Sequence, residues 1–416
     1  MRVELHQNLI ASDAAIEAAA LVESCVHCGL CSSVCPTYEV LENELDSPRG
    51  RIYLIRETLQ GGLSTAKTRA HLDNCLNCRA CETACPSGVQ YGHLIDLGQQ
   101  VINEQRPRPL WQRISRVAIR TLLTSRPALN TLARVGWSLK PFLPGSLRSK
   151  VPGRPLPAQW VEPKHARKVL SLSGCVQPVF TPGHDAALSS LLDRFGVSLV
   201  KSSGGGCCGA LNQHLDAPEA ARAAMRRNID AWWPYIERGA EAILSSSTGC
   251  GAQLKDYGYL LRDDSDYALK AAQVGSLVCD PGEFINALWD KNPLFLTPLA
   301  EGEERLAFHV PCSLRNSLRA KVQVETILRR AGYTLTPVKE EHMCCGSAGA
   351  YSLLQPDRSE ELLSRKLKHL VQGKPSRVVS ANVGCIMHLQ KSSPLDVGHW
   401  LELIAQRLPD EEVAHA

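Results

Sequence analysis

"EEHMCCGSAGAY", residues 340–351, sets Cys344 and Cys345 side by side ahead of Gly346. "SSGGGCCGALNQ", residues 202–213, does the same with Cys207, Cys208 and Gly209. Neighbouring cysteines rarely bridge one another, because the small ring they would close is strained. Working outward, each triplet follows a short apolar run that reads as a buried strand and ends in another cysteine. "RKVLSLSGC" leads to Cys175 and "RLAFHVPC" to Cys312, 137 residues later. The triplets repeat at the same offset. Cys250, in "AILSSSTGCG", and Cys385, in "RVVSANVGCI", repeat at 135. Leu188, Leu191, Leu192 and Phe195 correspond at offset 136 to Val324, Ile327, Leu328 and Ala331, and Gly196 and Gly332 close both helices. The second half of the chain is therefore an α/β unit occurring twice: strand, helix, strand, CCG loop, helix, strand, cysteine.

In a parallel α/β sheet the carboxyl ends of the strands converge on one edge, where ligands sit. Cys175, Cys207, Cys208 and Cys250 are expected to gather in one pocket, and Cys312, Cys344, Cys345 and Cys385 in another. Two adjacent thiolates suit neighbouring irons of a cluster better than one small tetrahedral ion. A glycine beside them removes bulk where backbone and ligand approach. "GGGCCG", Gly204–Gly209, matches G-x-G-x-x-G literally, but the second copy lacks these glycines, so no dinucleotide site is read there.

The chain has 416 residues and 17 cysteines, with the hydrophobic and charged fractions of an ordinary globular protein. Its N-terminal stretch lacks a basic segment followed by a long apolar run, and no stretch approaches 18 apolar residues. The expected setting is the reducing cytoplasm, where clustered cysteines read as metal ligands rather than bridges. The formal charge of +4 is mild and gives no argument for nucleic acid.

Two further motifs occupy the first hundred residues. "CVHCGLCSSVCP" places Cys25, Cys28, Cys31 and Cys35 before Pro36, and "CLNCRACETACP" places Cys75, Cys78, Cys81 and Cys85 before Pro86. Both are C-x2-C-x2-C-x3-C-P, the bacterial ferredoxin run for a 4Fe–4S cluster, whose fourth cysteine ligates the other cluster. The expected ligand sets are Cys25, Cys28, Cys31 and Cys85 for one cluster, and Cys75, Cys78, Cys81 and Cys35 for the other. Zinc, which takes four ligands from two pairs, fits the C-x2-C-x2-C triplet poorly. Between the motifs, Ser47–Pro48 predicts a helix start before Ile52, Leu54, Ile55 and Leu59, and Arg49 and Arg51 stand as candidate donors near a cluster or as ordinary turn and packing residues.

Residues 106–154 hold eleven Lys or Arg and no acidic residue. Trp111, Ile114, Ala118 and Leu122 recur at near-helical spacing, followed by Trp137, Phe142 and Leu143. This reads as a basic amphipathic connector that lies on an anionic membrane surface, docks an acidic partner, or packs its stripe on the next domain. A Pro-rich linker, "RPLPAQWVEPKHARK", follows.

Two ferredoxin motifs followed by two CCG units resemble the iron–sulfur subunits of bacterial glycolate oxidase (glycolate dehydrogenase). The resemblance covers nearly the whole chain, through "CVHCGLCSSVCPTY", "DSPRGRIYLI", "CPSGVQYGHL", "NIDAWWP", "TGCGAQLKDYG", "CCGSAGAY" and "ANVGCIMHL". It implies a subunit of a multi-subunit dehydrogenase. Flavin-bearing partners oxidise glycolate and D-lactate-like 2-hydroxy acids, and this chain passes the electrons through two 4Fe–4S clusters toward a quinone at the inner face of the cytoplasmic membrane, or toward another acceptor. The departures lie in the CCG units. Where such units often finish in C-x-x-C, Gln253 and His388 stand here, and Val310 replaces an extra cysteine of some relatives. A further cluster, zinc or a metal-free thiol pocket all stay open at the CCG sites.

The expected architecture is α+β and α/β multidomain. A helical ferredoxin-like two-cluster domain spans 1–105, a basic connector and linker 106–165, and the duplicated CCG domains 166–298 and 299–416. His214, His309, His342 and His388 read mainly as structural residues beside the CCG cysteines, Trp232 and Trp233 as core or interface anchors, and Cys279 as an ordinary buried thiol without a counterpart. Two other readings keep part of this pattern: an electron-transfer subunit of an anaerobic glycerol-3-phosphate dehydrogenase or heterodisulfide-reductase-like complex, and a non-redox module stapled by metals.

Overall fold

The computed structural model describes residues 2–62, 64–142, 144 and 151–409. Leu143, Arg148 and Lys150 of the basic stretch, and residues 410–416 of the last expected segment, lie outside them. The chain forms two compact units. One holds the residues up to Ala118 with the short returns Gln213–Asp216 and His342–Lys366, and the other holds Ile119–Asn212, Ala217–Glu341 and Leu367 onward.

The first unit is helical. Ser12 caps the helix Asp13–Glu23 by accepting from the Ala15 N–H. The Ser-Pro start is realised: Ser47 Oγ accepts from Gly50 N at 2.9 Å, and Pro48 opens the helix Pro48–Leu59. These helices and Tyr91–Gln105 turn Ala15, Ala18, Val22, Ile52, Ile55, Leu59, Leu94, Ile95 and Ile102 into one core. Full burial of each large aliphatic side chain among them contributes roughly 1.5–3 kcal/mol.

The second unit holds two four-stranded parallel sheets. Strands β1 (Arg167–Ser171), β2 (Val197–Lys201), β3 (Ile243–Leu244) and β4 (Val278–Cys279) lie in the order β2-β1-β3-β4. Strands β5 (Arg305–Phe308), β6 (Thr334–Leu335), β7 (Arg377–Ser380) and β8 (Val397–His399) lie as β6-β5-β7-β8. The duplication extends to register. Leu170 pairs with Ile243 as Ala307 pairs with Val378, and Val169 pairs with Leu199 as Leu306 pairs with Leu335.

Three sequence expectations need correction here. The strands leading to Cys175 and Cys312 end at Ser171 and Phe308, so each cysteine sits beyond its strand, Cys175 in a bend and Cys312 at the start of a helical turn. Each copy also has a fourth strand. Cys279 ends β4 opposite Leu244, where the second copy places Gly398 opposite Val379, so Cys279 has a structural counterpart that is not a cysteine. Its side chain is half-buried rather than buried.

The two sheets share a core that joins Val169, Leu188 and Leu199 to Leu306, Val324 and Val379. Polar ties cross the same interface. His399 Nε2 donates to the Ser246 carbonyl at 2.8 Å, and Ser313 Oγ lies 2.8 Å from Thr248 Oγ1. Trp232 is fully buried in a second core beneath the first sheet, while Trp233 is only half-buried and donates to Glu237.

The basic stretch forms two helices, Leu110–Thr124 and Arg126–Leu139. The second buries Leu129 and Ala133 with Val179. The first buries no side chain fully and leaves Leu110, Trp111, Ile114 and Val117 exposed along one face. Arg108 and Arg116 turn inward instead. Arg108 binds Asp73 at 2.6 and 2.8 Å and Asp216 at 2.7 Å, and Arg116 adds 3.4 Å contacts to both carboxylates.

Candidate metal centres

The two ferredoxin motifs fold alike because their backbones take the same unusual turns. His27 and Asn77, two residues after the first cysteine of each run, both have positive φ, as do Gly29 and Arg79 two residues further on. Each turn aims an N–H back at the first sulfur, His27 N to Cys25 Sγ at 3.4 Å and Asn77 N to Cys75 Sγ at 3.5 Å. Such bonds favour a thiolate. Pro36 then opens the helix Pro36–Leu41 and carries the chain away after Cys35.

Two cavities result. The first, about 420 Å³, is lined by Cys25, Cys28, Cys31 and Cys85, with His27 and Arg49 on its wall. The second, about 350 Å³, is lined by Cys35, Cys75, Cys78 and Cys81, with Arg51 on its wall. The fourth cysteine of each run thus lies with the first three of the other. Cys81, Pro48 and Tyr91 line both cavities, which makes them adjoining rooms with a common wall. Burial pushes the Cys31 thiol up to about 11 and raises Cys75, Cys78 and Cys81 as well. Buried thiols of this kind ionise when a metal takes their protons' place. Four convergent sulfurs, few competing polar groups and N–H donors at the sulfurs fit a cubane cluster in each cavity.

In the first CCG copy the expected set does converge. Cys207 is in hydrogen-bonding reach of Cys175 and Cys208, and Cys208 of Cys250. Cys175 follows β1, the adjacent pair follows β2, and Cys250 lies in the helix Thr248–Lys255 after β3, so all four stand at carboxyl ends of parallel strands. Its bonds with Cys175 and Cys208, and the Gly209 N–H at 3.5 Å, hold the Cys207 thiol below its ordinary range. Asn228 and Tyr257 brace the loop from beneath. Asn228 Nδ2 donates to the Cys207 carbonyl at 2.9 Å, and Tyr257 Oη to the Cys208 carbonyl at 2.9 Å.

The CCG glycine has a defined task. Gly209 has φ +96° and Gly346 φ +87°, a left-handed region that disfavours side chains. That turn aims each glycine's N–H at the first sulfur of the pair, 3.5 Å to Cys207 and 3.4 Å to Cys344.

The second copy is distributed differently. Cys312 and Cys385 belong to the second unit, Cys344 and Cys345 to the His342–Lys366 segment of the first. In the second unit, His309 and Cys385 bring donor atoms within 4.8 Å of one another. His309 Nδ1 is 2.9 Å from Ser380 Oγ, and Asn382 Nδ2 donates to Cys385 Sγ at 3.3 Å. In the first unit, Cys344 lies near enough to Cys78 to add to the rise of that thiol, after burial. His214 meets Asn77 at 3.0 Å and Asp96 at 3.3 Å, and His342 lies 3.7 Å from Glu39.

Sequence reasoning did not single out Tyr91, Asp46 or Arg126. Arg126 donates through Nε to the Gly174 carbonyl beside Cys175, at 2.8 Å. "QYGHL" at 90–94 carried the only trace of Tyr91, a large aromatic shortly after the second motif.

Comparison with known proteins agrees with this geometry. Residues 21–89 match the 4Fe-4S dicluster domain family, and residues 169–255 and 306–390 match the cysteine-rich domain family. The chain is 44% identical over 412 residues, 99% of its length and 100% of the relative's, to the glycolate oxidase iron-sulfur subunit of Escherichia coli (strain K12). It is 28% identical to the probable glycolate oxidase iron-sulfur subunit of Bacillus subtilis (strain 168), over 88% of each chain. It is 26% identical to lactate utilization protein A of Bacillus licheniformis, over 58% of this chain and all of that one. With a two-cluster domain and two cysteine-rich domains in this order, and near full-length likeness at 44% identity, the chain belongs to the family of glycolate oxidase iron–sulfur subunits.

Proposed function

We propose that this chain is the electron-transfer subunit of a glycolate-oxidising dehydrogenase. It takes electrons from flavin-bearing partner subunits that convert glycolate and D-lactate-like 2-hydroxy acids to 2-oxo acids, and delivers them toward a quinone or another acceptor. The observation that carries the reading is the crosswise lining of the two cavities, Cys85 with Cys25, Cys28 and Cys31, and Cys35 with Cys75, Cys78 and Cys81. Bound there, 4Fe–4S clusters supply one-electron transfer.

The chain's own residues do the rest. Eight thiols hold the metal. Ile52, Val89 and Tyr91 exclude water from the first cavity, and the wall formed by Cys81, Pro48 and Tyr91 keeps the two sites adjacent. Cys175, Cys207, Cys208 and Cys250 form a further metal site in the first CCG copy. No described helix is long and apolar enough to cross a membrane. The exposed face of Leu110, Trp111, Ile114 and Val117, on a helix that also carries Arg113 and Arg120, supports peripheral attachment at the cytoplasmic face of the membrane. Co-purification with partner subunits tests the reading. Glycolate-dependent reduction of a quinone analogue is expected with this chain present and lost without it, and an unchanged rate without it contradicts the proposal.

A further inference from the structure

We propose that the segment Glu44–Arg51 sets the two cysteine sites at different reduction potentials, with the buried Arg51–Asp46 pair controlling the Cys35, Cys75, Cys78, Cys81 site. The inference rests on the reading that the eight thiols hold two clusters.

"ELDSPRGR" contains two acid–base pairs in the same spacing, Glu44 with Arg49 and Asp46 with Arg51. The helix begins at Pro48, and residues two apart on a helix point roughly 200° from one another. The two arginines therefore leave opposite faces, and each reaches a different cavity. Arg49 is 36% exposed and meets Glu44 at 2.8 Å. Arg51 is 1% exposed. Its Nε donates to the His71 carbonyl at 2.7 Å and its Nη2 to Thr37 Oγ1 at 3.0 Å. Thr37 Oγ1 in turn stands 3.3 Å from Cys35 Sγ. Asp46, also buried, lies 3.5 Å from Arg51 Nη2, while Asn74 Nδ2 donates to it at 2.7 Å and His71 Nδ1 approaches at 3.0 Å.

Reduction adds one electron to a site and takes up no proton, so the site becomes more negative by one charge. A fixed guanidinium beside it stabilises the reduced form, and a fixed carboxylate opposes it. Water and salt weaken such effects for Arg49 and Glu44, but hardly reach Arg51 and Asp46. Arg51 lines the second cavity, whereas Asp46 is not among the residues that line it. The cation therefore dominates at the second site, and the first site lacks an equivalent buried one among the described residues.

Potentiometric titration followed by low-temperature EPR of the anaerobically purified full chain tests this. The signal of the second site is the one that Cys35→Ser abolishes. Arg51→Gln is expected to lower its potential by about tenfold in the one-electron equilibrium, about 59 mV. Asp46→Asn raises it, Arg51→Lys retains most of it, and the other signal stays in place in all three. A merely structural role moves both signals or neither, and gives no opposite signs. Should Arg51→Gln fail to hold iron, the unmodified chain still decides. Between about 0.1 M and about 1 M salt the first site's potential shifts and the second's does not. Shifts of the same sign in Arg51→Gln and Asp46→Asn, or a salt response equal at both sites, overturn the proposal. An unmodified chain with fewer than about eight irons overturns the two-cluster reading instead.

Discussion

Replacing Gly346 by alanine places a methyl group 2.5 Å from the Ser359 carbonyl oxygen, in the first turn of the helix Pro356–Val371, with the backbone held at φ +87°. The left-handed conformation alone costs a side chain about 1–2 kcal/mol. The overlap falls on backbone, which cannot swing aside as a flexible side chain does, and forcing it apart adds about 1–3 kcal/mol. The bond from Ser359 Oγ to the Gly346 carbonyl, 2.9 Å long, crosses the same contact and is strained by any shift. Gly346→Ala is therefore expected to cost about 2–5 kcal/mol. Gly209→Ala is a matched control. Its φ is +96°, but its methyl group meets the Ala221 carbonyl oxygen at 3.1 Å, so the conformational cost of about 1–2 kcal/mol dominates. Urea denaturation of both variants gives the global costs. Hydrogen exchange in the helix Pro356–Val371 shows whether the loss is local to Gly346. Equal costs at the two glycines, or less than about 1 kcal/mol at Gly346, refute the idea that close backbone approach shapes the CCG loop.

Cys85→Ser is expected to abolish the EPR signal of the first site and keep the second, and Cys35→Ser the reverse; loss of the second site in Cys85→Ser contradicts the crosswise lining. His399 is neutral, its pKa held down to about 4 by burial. An unfolded imidazole titrates near ~6.5, so the unfolded chain takes the proton first. Stability is thus full above ~6.5 and falls by up to about 3 kcal/mol as the pH drops toward ~4. Unfolding midpoints across that window are expected to slope less in His399→Gln. Arg108→Met leaves Asp73 and Asp216 with Arg116 at 3.4 Å as their remaining arginine contact, beside the Asn103 amide that donates to Asp216 at 2.6 Å, and is expected to cost about 3 kcal/mol in denaturation, partly recovered by adding Asp73→Asn.

What was legible in the sequence was set by local spacing. The C-x2-C-x2-C-x3-C-P runs announce the dicluster domain because a tight turn needs that spacing to aim three thiolates at one face. The offsets of 135–137 residues reveal the duplication because each copy repeats one supersecondary unit. Ser47 and Pro48 marked a helix start because a cap and a fixed φ act locally. The rest depends on contacts made far along the chain. β4 and β8 are two and three residues long and carry no alternation to read. Arg108 and Arg116 read only as part of the basic stretch, and Asp216 meets them from a hundred or more residues away. Spacing left Arg51 between a donor near a cluster and an ordinary packing residue, and its burial against Thr37 and His71, on the wall of the second cavity, is a matter of tertiary contact. The assignment of Cys344 and Cys345 to one compact unit and Cys312 and Cys385 to the other follows from the path of the chain, on which spacing is silent.

Iron and acid-labile sulfide counted in the anaerobically purified chain, with zinc measured on the same sample, test the central claim most directly. Two cubanes held by the eight thiols of the first unit give about eight irons and about eight sulfides per chain, with any CCG-site iron in addition. About four irons or fewer, or zinc in their place, contradicts it.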